Sequence, residues 1–248
     1  MTLMLTLREQ PDLPLGAENL VPDRLAGADD VGELPLWHGK ERARVGDFFA
    51  VAGAGDDVRL AGDLSRVRGL GAGMTAGRLT VEGDVGDWAG AGMRGGTLVV
   101  HGSAGRHLGG VQPGEKAGMR GGEIVVHGDA AEQAGAGLRR GLIAVGGSVG
   151  QAAGLRMLAG TLVALGDLGP RAGAGMRRGS IVTMAPLTPL PTFAFACTYR
   201  PPFLRLYLRR LRALGLAVAD DAIDGRYARW SGDGLELRRG EILLLEPS

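Results

Sequence analysis

One phrase recurs six times in this chain, and its fixed period limits the possible folds more than any other feature. Aligned on a Gly-x-Gly-Met unit, the copies begin at Gly71, Gly90, Lys116, Gly135, Gly154 and Gly173. The intervals are 19, 26, 19, 19 and 19 residues, so the exception equals 19 plus a seven-residue insertion, placed at 109–115. A constant period of this size predicts a stack of similar units, each in contact with its neighbours.

Each copy contains a short stretch in which apolar residues alternate with other residues. These pairs are Leu79/Val81, Leu98/Val100, Ile124/Val126, Ile143/Val145 and Leu162/Ala164. Because the side chains of a strand alternate between its faces, both members of a pair lie on one face. A second apolar column, interpreted as core, consists of Met74, Met93, Met119, Leu138, Met157 and Met176. Glycines beside both columns suit tight corners.

Short strands joined by glycine corners predict an all-β solenoid with one turn per repeat. Six turns at about 4.8 Å each give a rod about 29 Å long. A degraded earlier turn, Val58-x-Leu60-x-Gly62-Asp63, moves the predicted start to residue 48. Collagen needs glycine at every third position and disordered chains have few branched aliphatic residues, so the 45 glycines indicate neither class.

The sequence divides into three predicted regions, namely an N-terminal cap (1–47), a β-helix of about seven turns (48–185) and a C-terminal cap (186–248). Prolines 186, 189 and 191 would interrupt ladder pairing at the second boundary. Strands are expected at 3–7 and 34–37, a helix at 203–214, and a closing hairpin at 226–245. Small α/β caps are expected because the ends of a stack expose unpaired backbone.

Composition narrows the function classes. The formal charge is +1, which predicts no general attraction to nucleic acid. A single cysteine, Cys197, excludes an intramolecular disulfide and is typical of a reducing compartment. No basic and apolar leader opens the sequence, and no run of about 18 apolar residues occurs. We therefore expect a cytoplasmic protein without a membrane segment.

Two motifs resemble catalytic signatures but fit the repeat better. Gly90-Ala-Gly92-Met-Arg-Gly95 matches the dinucleotide fingerprint, which requires a strand before it and a helix after it, whereas here a strand follows. Gly146-Gly-Ser148-Val-Gly150 matches the nucleophile elbow. Ser148, however, belongs to a polar corner column whose members are Asp63, Asp84, Ser103, Asp129, Ser148 and Asp167. Such side chains bond nearby backbone N–H groups, so no catalytic residue is predicted.

Two further columns lie on the surface. One outward position on successive turns is occupied by Glu82, His101 and His127. We favour a solvent- or partner-facing surface for this column, and a metal site is the alternative. The position after each methionine is Arg94, Arg120, Arg139 and Arg177 in four turns, three of them consecutive. Stacked like charges repel unless solvent or anions face them, so the column is either a solvated rim or a contact for acidic groups of a partner or ligand.

The repeated Gly-x-Gly-Met-x-x-Gly-x-Leu/Ile-x-Val-x-Gly-Asp phrase resembles the GXGXG β-helix superfamily, which includes the C-terminal domain of the glutamate synthase large subunit. Three segments are most similar to the C subunits of formylmethanofuran dehydrogenase and of the bacterial formyltransferase/hydrolase complex. They are Gly46-Asp-Phe-Phe-x-Val51, Gly71-x-Gly-Met-Thr-x-Gly77, and the insertion Gly109-Gly-Val-Gln-Pro-Gly-Glu-Lys116 before Gly118-Met119. The resemblance implies a right-handed single-stranded β-helix.

It also implies a non-catalytic scaffold in a hetero-oligomeric one-carbon enzyme. That complex would move a formyl group from formyl-tetrahydromethanopterin to a methanofuran-type carrier and hydrolyse it to formate. Amidohydrolase-like, molybdopterin-enzyme-like and formyltransferase companions would hold the metals and cofactors, and none is expected in this chain. A tungsten or molybdenum dehydrogenase is the alternative; the ratio of 26 arginines to 2 lysines favours the bacterial hydrolase.

The remaining rivals are a glutamate-synthase-like spacer and an independent carbohydrate-active β-helix, which would place carboxylates in an open groove. The predicted partner contacts, besides the arginine column, are the insertion and its flank, namely Gly109, Gly110, Val111, Gln112, Pro113, Gly114, Glu115 and Lys116.

Overall fold

A mostly parallel sheet of twelve strands dominates the computed structural model, which describes residues 2–247. The strands of the chain are β1 (Thr2–Leu7), β2 (Leu15–Gly16), β3 (Pro35–His38), β4 (Glu41–Arg44), β5 (Phe49–Ala52), β6 (Asp57–Ala61), β7 (Val67–Arg68), β8 (Arg78–Val81), β9 (Thr97–Val100), β10 (Arg120–Val126), β11 (Arg140–Val145), β12 (Thr161–Ala164), β13 (Arg178–Thr183), β14 (Ala194–Tyr199), β15 (Tyr227–Gly232) and β16 (Arg239–Leu245). The sheet runs β14-β15-β16-β13-β12-β11-β10-β9-β8-β6-β1-β5.

The repeated strands pair in the predicted register. Val81 lies opposite Val100, and Val100 lies opposite Val126. All three are fully buried, as are Leu79, Leu98 and the methionine column. The predicted interior columns are therefore confirmed. Each fully buried aliphatic side chain contributes about 1.5–3 kcal/mol of transfer free energy, so each turn adds several kcal/mol to the core.

Two more hydrogen-bonded strips connect the repeats away from the sheet. Parallel bridges join Leu64, Val85, Ala104, Ala130, Val149 and Leu168 in succession. In the glycine corners, Gly90 N–H donates to Leu70 O at 2.8 Å, and Gly73 N–H donates to Ala91 O at 2.9 Å. Every repeat thus passes through three bonded strips around a shared apolar interior.

The corner at Gly90 shows why glycine is required. Its φ is +62°, and a Cβ there would lie 2.4 Å from Ile124 Cδ1 of the next repeat. Any larger residue would strain the backbone and displace an interior side chain.

Both termini join the large sheet. β1 lies between β5 and β6 and is parallel to β6. β16 is parallel to β13, pairing Arg178–Thr183 with Arg239–Leu244. The nineteen-residue repeat stops near Met184, as its pattern indicates, but the sheet continues through β16, β15 and β14.

The C-terminal helices cover part of the outer face of the sheet. The helices are α1 (Pro22–Leu25), α2 (Val45–Phe48), α3 (Pro202–Ala213) and α4 (Asp220–Asp224), with a 3-10 turn at Val31–Glu33. Leu204, Leu208 and Leu211 of α3 pack against outward residues such as Val125 and Val163. The helix predicted at 203–214 is confirmed within a residue at each end.

Asp233 closes the stack beyond its last glycine corner. It is 3% exposed, and its Oδ2 accepts a hydrogen bond from Gly175 N–H at 2.9 Å. Its Oδ1 accepts another from Leu235 N–H at 3.0 Å. The carboxylate therefore replaces the carbonyl that a further repeat would supply. At the other end, a four-stranded sheet in the order β4-β3-β2-β7 forms most of the N-terminal cap.

Candidate functional site

The insertion leaves the stack as a ridge between two turns. Gly109 has a φ of +61° and holds the corner position, because Met119 N–H donates to Gly109 O as Met93 N–H does to Gly90 O, at 2.9 and 3.1 Å. Aligned on Gly-Ala-Gly-Met, the seven additional residues are 110–116, one position later than expected. Gly109 belongs to the stack, and Gly110 still bonds within it, because Gly92 N–H donates to Gly110 O at 3.1 Å. We call residues 110–116 the insertion ridge; positions 113–116 are exposed.

A groove lies on each side of the insertion ridge. The C-terminal groove has a volume of about 680 Å³ and contains Val111, Glu115 and Lys116 in its wall. The N-terminal groove has a volume of about 660 Å³ and contains Gln112 and Pro113. The ridge thus separates two concave surfaces of similar size and contributes side chains to both.

The two grooves differ in chemistry. Across from the ridge, the C-terminal groove is lined by Arg156, Arg177 and Glu236. The N-terminal groove contains Trp37 and Trp88, with the Arg68 guanidinium 6.0 Å from the Trp88 ring centroid. Trp88 also stacks on His107 at 5.1 Å, which links the grooves beneath the ridge. One groove can attract acidic groups, whereas the other offers flat aromatic surface.

The arginine column is in register, as the repeat predicts. The N–H groups of Arg94, Arg120 and Arg139 donate to the carbonyls of the methionine position one turn earlier, at 2.8, 2.6 and 2.9 Å. Arg177 does the same with Met157 at 2.8 Å. The four residues therefore occupy equivalent places in the stack; Arg120 contacts the ridge, and Arg177 lines the C-terminal groove.

Their side chains are not equivalent. The Arg120 guanidinium contacts Glu115 of the ridge at 2.6 Å, and that of Arg177 contacts Glu236 at 3.0 Å. Arg94 and Arg139 are exposed and form no ion pair with any residue between 2 and 247. Because exposed ion pairs contribute only about 0.2–1 kcal/mol, the two existing pairs can open for another acidic group.

The polar corner column is structural, as interpreted from the sequence. Ser148 N–H donates to Asp129 Oδ1 at 2.7 Å, and Asp167 N–H donates to Ser148 Oγ at 3.2 Å. Ser103 bonds in the same way to Asp84, at 2.7 Å. Each side chain therefore supports the backbone of the next turn, and Ser148 is not held against a histidine as a nucleophile would be.

The outward column places Glu82, His101 and His127 together on the sheet. His101 Nε2 lies 4.0 Å from Glu82 Oε2, and the His101 and His127 rings are 4.7 Å apart. Burial and then repulsion from His101 lower the pKa of His127, against a hydrogen bond to the Leu214 backbone. No group of three or more His, Cys, Asp or Glu side chains within residues 2–247 has a metal-binding arrangement.

Sequence reasoning missed the aromatic residues of the N-terminal groove. Trp37 lies in the cap and Trp88 in the corner after β8, so only tertiary structure brings them together. Their isolated positions outside the apolar columns were the available signal. No helix described between residues 2 and 247 is long enough to cross a lipid bilayer, because the longest, α3, has 12 residues.

No protein-family model matches the sequence. A chain in the crystal structure of the formyltransferase/hydrolase complex (FhcABCD) from Methylorubrum extorquens in complex with methylofuran superposes with a TM-score of 0.82 and 34% identity, covering 98% of this chain and 100% of that one.

Curated relatives match a shorter segment. The C subunit of tungsten-containing formylmethanofuran dehydrogenase 2 from Methanothermobacter wolfeii is 38% identical over 91 residues, 34% of each chain. The C subunit of molybdenum-containing formylmethanofuran dehydrogenase 1 from Methanosarcina barkeri is 34% identical over 83 residues, 30% of this chain and 28% of that protein. The matched segment thus spans about a third of these relatives.

Proposed function

Because this chain belongs to the family of C subunits found in the formyltransferase/hydrolase complex and in formylmethanofuran dehydrogenases, we propose that it is a non-catalytic scaffold subunit of a one-carbon enzyme complex. The observation that carries the proposal is the superposition over the whole chain at 34% identity. The polar side chains that resemble catalytic motifs bond to backbone instead, which supports a role in assembly.

The proposed complex is the formyltransferase/hydrolase. In it, a formyl group passes from formyl-tetrahydromethanopterin to a methanofuran-type carrier, and water then releases formate and the free carrier. The partners would be amidohydrolase-like, molybdopterin-enzyme-like and formyltransferase subunits. The whole-chain match is to a complex described with methylofuran, which favours this version over the tungsten or molybdenum dehydrogenase suggested by the partial matches.

Within residues 2–247, the grooves that could receive the carrier lie on the surface beside the ridge. The two grooves beside the ridge are open surfaces, and their polar lining residues come from corners and caps. Lys116, Arg156 and Arg177 fit an anionic group on a passing carrier or partner, so this chain's part would be to hold such a group near the surface. A cytoplasmic location completes the proposal, because the one cysteine is free and exposed.

The fold proposed for this protein is a right-handed single-stranded β-helix. Each repeated strand is followed, one repeat later, by a parallel neighbour in the same sheet. Connections of that kind are right-handed in about 98% of cases.

The insertion ridge is the proposed docking element. Its residues 113–116 are exposed although the flanking residues 117–119 are buried. A ridge between two grooves gives a partner both a protrusion and two depressions, which fixes its position along the rod.

Deleting residues 110–116 tests this role without disturbing the stack. The deletion joins Gly109 to Ala117 and restores Gly-Ala-Gly-Met, the sequence found at Gly71 and Gly90. We expect an unchanged thermal midpoint and at least tenfold weaker assembly with co-expressed companion subunits. A control variant keeps the length of the ridge but replaces Val111, Gln112, Pro113 and Glu115 with Ser. It distinguishes the effect of the protruding segment itself from the effect of its side chains. Normal assembly of the deletion variant would contradict the docking role.

The arginine column is proposed to bind carboxylates of a companion or of the carrier. Reversing Arg94, Arg120 and Arg139 to Glu should weaken assembly or raise the KM for the carrier, with a steep dependence on salt. Reversal of two exposed arginines of the N-terminal cap, Arg8 and Arg42, is the control. If the triple variant assembles normally and its carrier kinetics are unchanged, the arginine column is solvated and binds neither a companion nor the carrier.

A further inference from the structure

The large sheet ends at β14 in an uncovered edge. β14 (Ala194–Tyr199) pairs antiparallel with β15, and no other strand of residues 2–247 adjoins it. The outer row of its backbone N–H and C=O groups therefore faces outward. A strand edge of this kind is a template for pairing with another chain.

The side chains of β14 do nothing to block such pairing. Ala194, Phe195, Ala196 and Cys197 are consecutive and all exposed, with Phe195 at 56%. The strand contains no charged residue and no proline. A run of four exposed apolar residues is an error in a free protein unless it serves binding. A bulge between Phe195 and Cys197 is its one protective device, and pairing is regular again from Cys197 to Tyr199.

The opposite end of the same sheet is treated differently. β5 is the last strand there, and it has four residues against six in β14. The 3-10 turn at Val31–Glu33 and helix α2 pack against β5. Ala50, Val51 and Ala52 of β5 are exposed too, so the two ends differ in what contacts them: cap elements touch β5, whereas β15 is the only element of residues 2–247 with extensive contacts to β14.

We infer that an extended segment of a companion protein in the complex adds to β14 as a further strand of the sheet. The backbone edge specifies a strand, and the small and apolar side chains of β14 fit apolar residues at alternate positions of that segment. Arg200, exposed directly after β14, fits a carboxylate at the end of the segment. This inference rests on the proposed function, since it takes the partner from the same complex.

A companion fits the edge better than a second copy of this chain. Stable association of two free proteins usually buries about 1,200–2,000 Å². Two six-residue edges joined to one another fall far below that area, so they would not hold two copies together. In a complex already held at other surfaces, the added strand needs only to supplement existing contacts.

Cys197 provides a built-in probe, because it is the only cysteine, is exposed, and lies in β14. Maleimide labelling of Cys197 should be at least tenfold slower in the assembled complex than in the isolated chain. Hydrogen exchange of the β14 amides should slow by at least tenfold in the same comparison. As a control, a Cys197→Ser chain carrying Ala54→Cys, in an exposed loop near the other end of the sheet, should label at similar rates in both states.

The outcomes separate this inference from the proposed function. If the wild-type chain fails to assemble with the companions, the proposed function is wrong. If it assembles while Cys197 and the β14 amides react as in the free chain, the added strand is wrong. If Cys197 labels slowly in the complex while the β14 amides exchange fast, a partner contacts the side chains of β14 without pairing with its backbone. That result would also overturn the added strand. Protection in the isolated chain, accompanied by a dimer mass in light scattering, would assign the edge to a second copy.

A charged side chain at the edge gives an independent check. Ala196→Lys should leave the thermal midpoint unchanged, because the side chain is exposed, and should weaken assembly by at least tenfold. Ala54→Lys is the matched control and should assemble as the wild type does. Equal assembly of both variants would contradict the inference.

Discussion

The repeated body and the terminal caps are built from similar strands, yet they expose different surfaces. All large apolar side chains that are exposed within residues 2–247 lie before β6 or after β13, in the caps and in β5: Leu13, Trp37, Val51, Phe195, Phe203, Leu206, Tyr207, Leu235 and Leu237. The body between β6 and β13 has none and carries exposed arginines instead.

This difference in surface composition follows from how each region buries its apolar side chains. In the body, each turn packs its interior aliphatic residues against equivalent positions above and below. Outward apolar residues such as Val125 and Val163 are covered by α3. A cap has a repeat on one side only, and its sequence must close the stack without a matching surface. Contacts that depend on apolar burial are therefore available at the caps, and contacts that depend on charge are available along the body.

Truncating one apolar side chain in each region gives the largest expected contrast. Ile143 is fully buried in the body, so Ile143→Ala should lower the free energy of unfolding by about 2–5 kcal/mol. Phe195→Ala, at 56% exposure in the cap, should change it by less than about 0.5 kcal/mol. Urea denaturation of both variants measures the difference, and comparable losses would contradict the comparison.

Substitution of Asp233, whose carboxylate closes the stack, should have the next largest effect on stability. Burial would raise the pKa of Asp233, but the hydrogen bonds from the Leu235 and Gly175 N–H groups outweigh it and hold the pKa below its usual value. Asp233→Asn should cost about 1.5–3 kcal/mol near neutral pH, because it removes charged hydrogen bonds at the end of the stack.

The same group sets a dependence on pH. A depressed folded pKa contributes stability that is present above the unfolded value of about 3.9 and is lost as pH falls through the folded pKa. Wild-type stability should therefore decline over this acidic window, and the decline should be smaller in Asp233→Asn. Parallel pH profiles of the two proteins would show that Asp233 does not close the stack.

Within the body, the polar corner column should contribute modestly. Ser148→Ala removes the acceptor for Asp167 N–H and should cost about 0.5–1.5 kcal/mol. We expect assembly and activity of the proposed complex to remain unchanged, because the Ser148 side chain bonds to the backbone of the next turn. A loss of hydrolysis without a loss of stability would restore Ser148 as a nucleophile.

The smallest effect concerns the contact between body and C-terminal cap at His127. Its pKa is lowered in the folded chain, so stability is full above the unfolded value of about 6.5 and declines as pH falls through the folded pKa. Amides near Leu214, at the end of α3, should exchange faster at pH 5.5 than at pH 7.5, after correction for intrinsic rates. His127→Gln should remove most of this difference; an equal difference in the variant would assign it to other groups.

The body was predictable because its signal is repeated. Period two places Val81, Val100 and Val126 on one face, and the constant interval places them one above another. The same periodicity reasoning found α3, whose Leu204, Leu208 and Leu211 share a buried face. Handedness, in contrast, came only from the family resemblance.

What the sequence missed depends on single contacts between distant segments. β16 pairs with β13 although it lacks the repeat motif, and β14 has no alternation that marks it as a strand. Asp233 looks like an ordinary Gly-Asp-Gly turn residue until Gly175 is placed beside it. In the insertion, alignment on methionine assigned the corner to Lys116, whereas packing gives it to Gly109 because φ there is positive.

The ladder of corner side chains has a consequence for how such a rod can change its length. From Asp84 onward the column alternates Asp, Ser, Asp, Ser, Asp, so neighbouring turns about 4.8 Å apart never carry two carboxylates at this position. Tandem duplication of a single Asp-bearing repeat within this stretch would stack two anions, whereas duplication of a Ser-bearing repeat or of an adjacent pair would not. Rods of this type that are longer by one repeat in this stretch should therefore carry an additional Ser-bearing repeat rather than an additional Asp-bearing one.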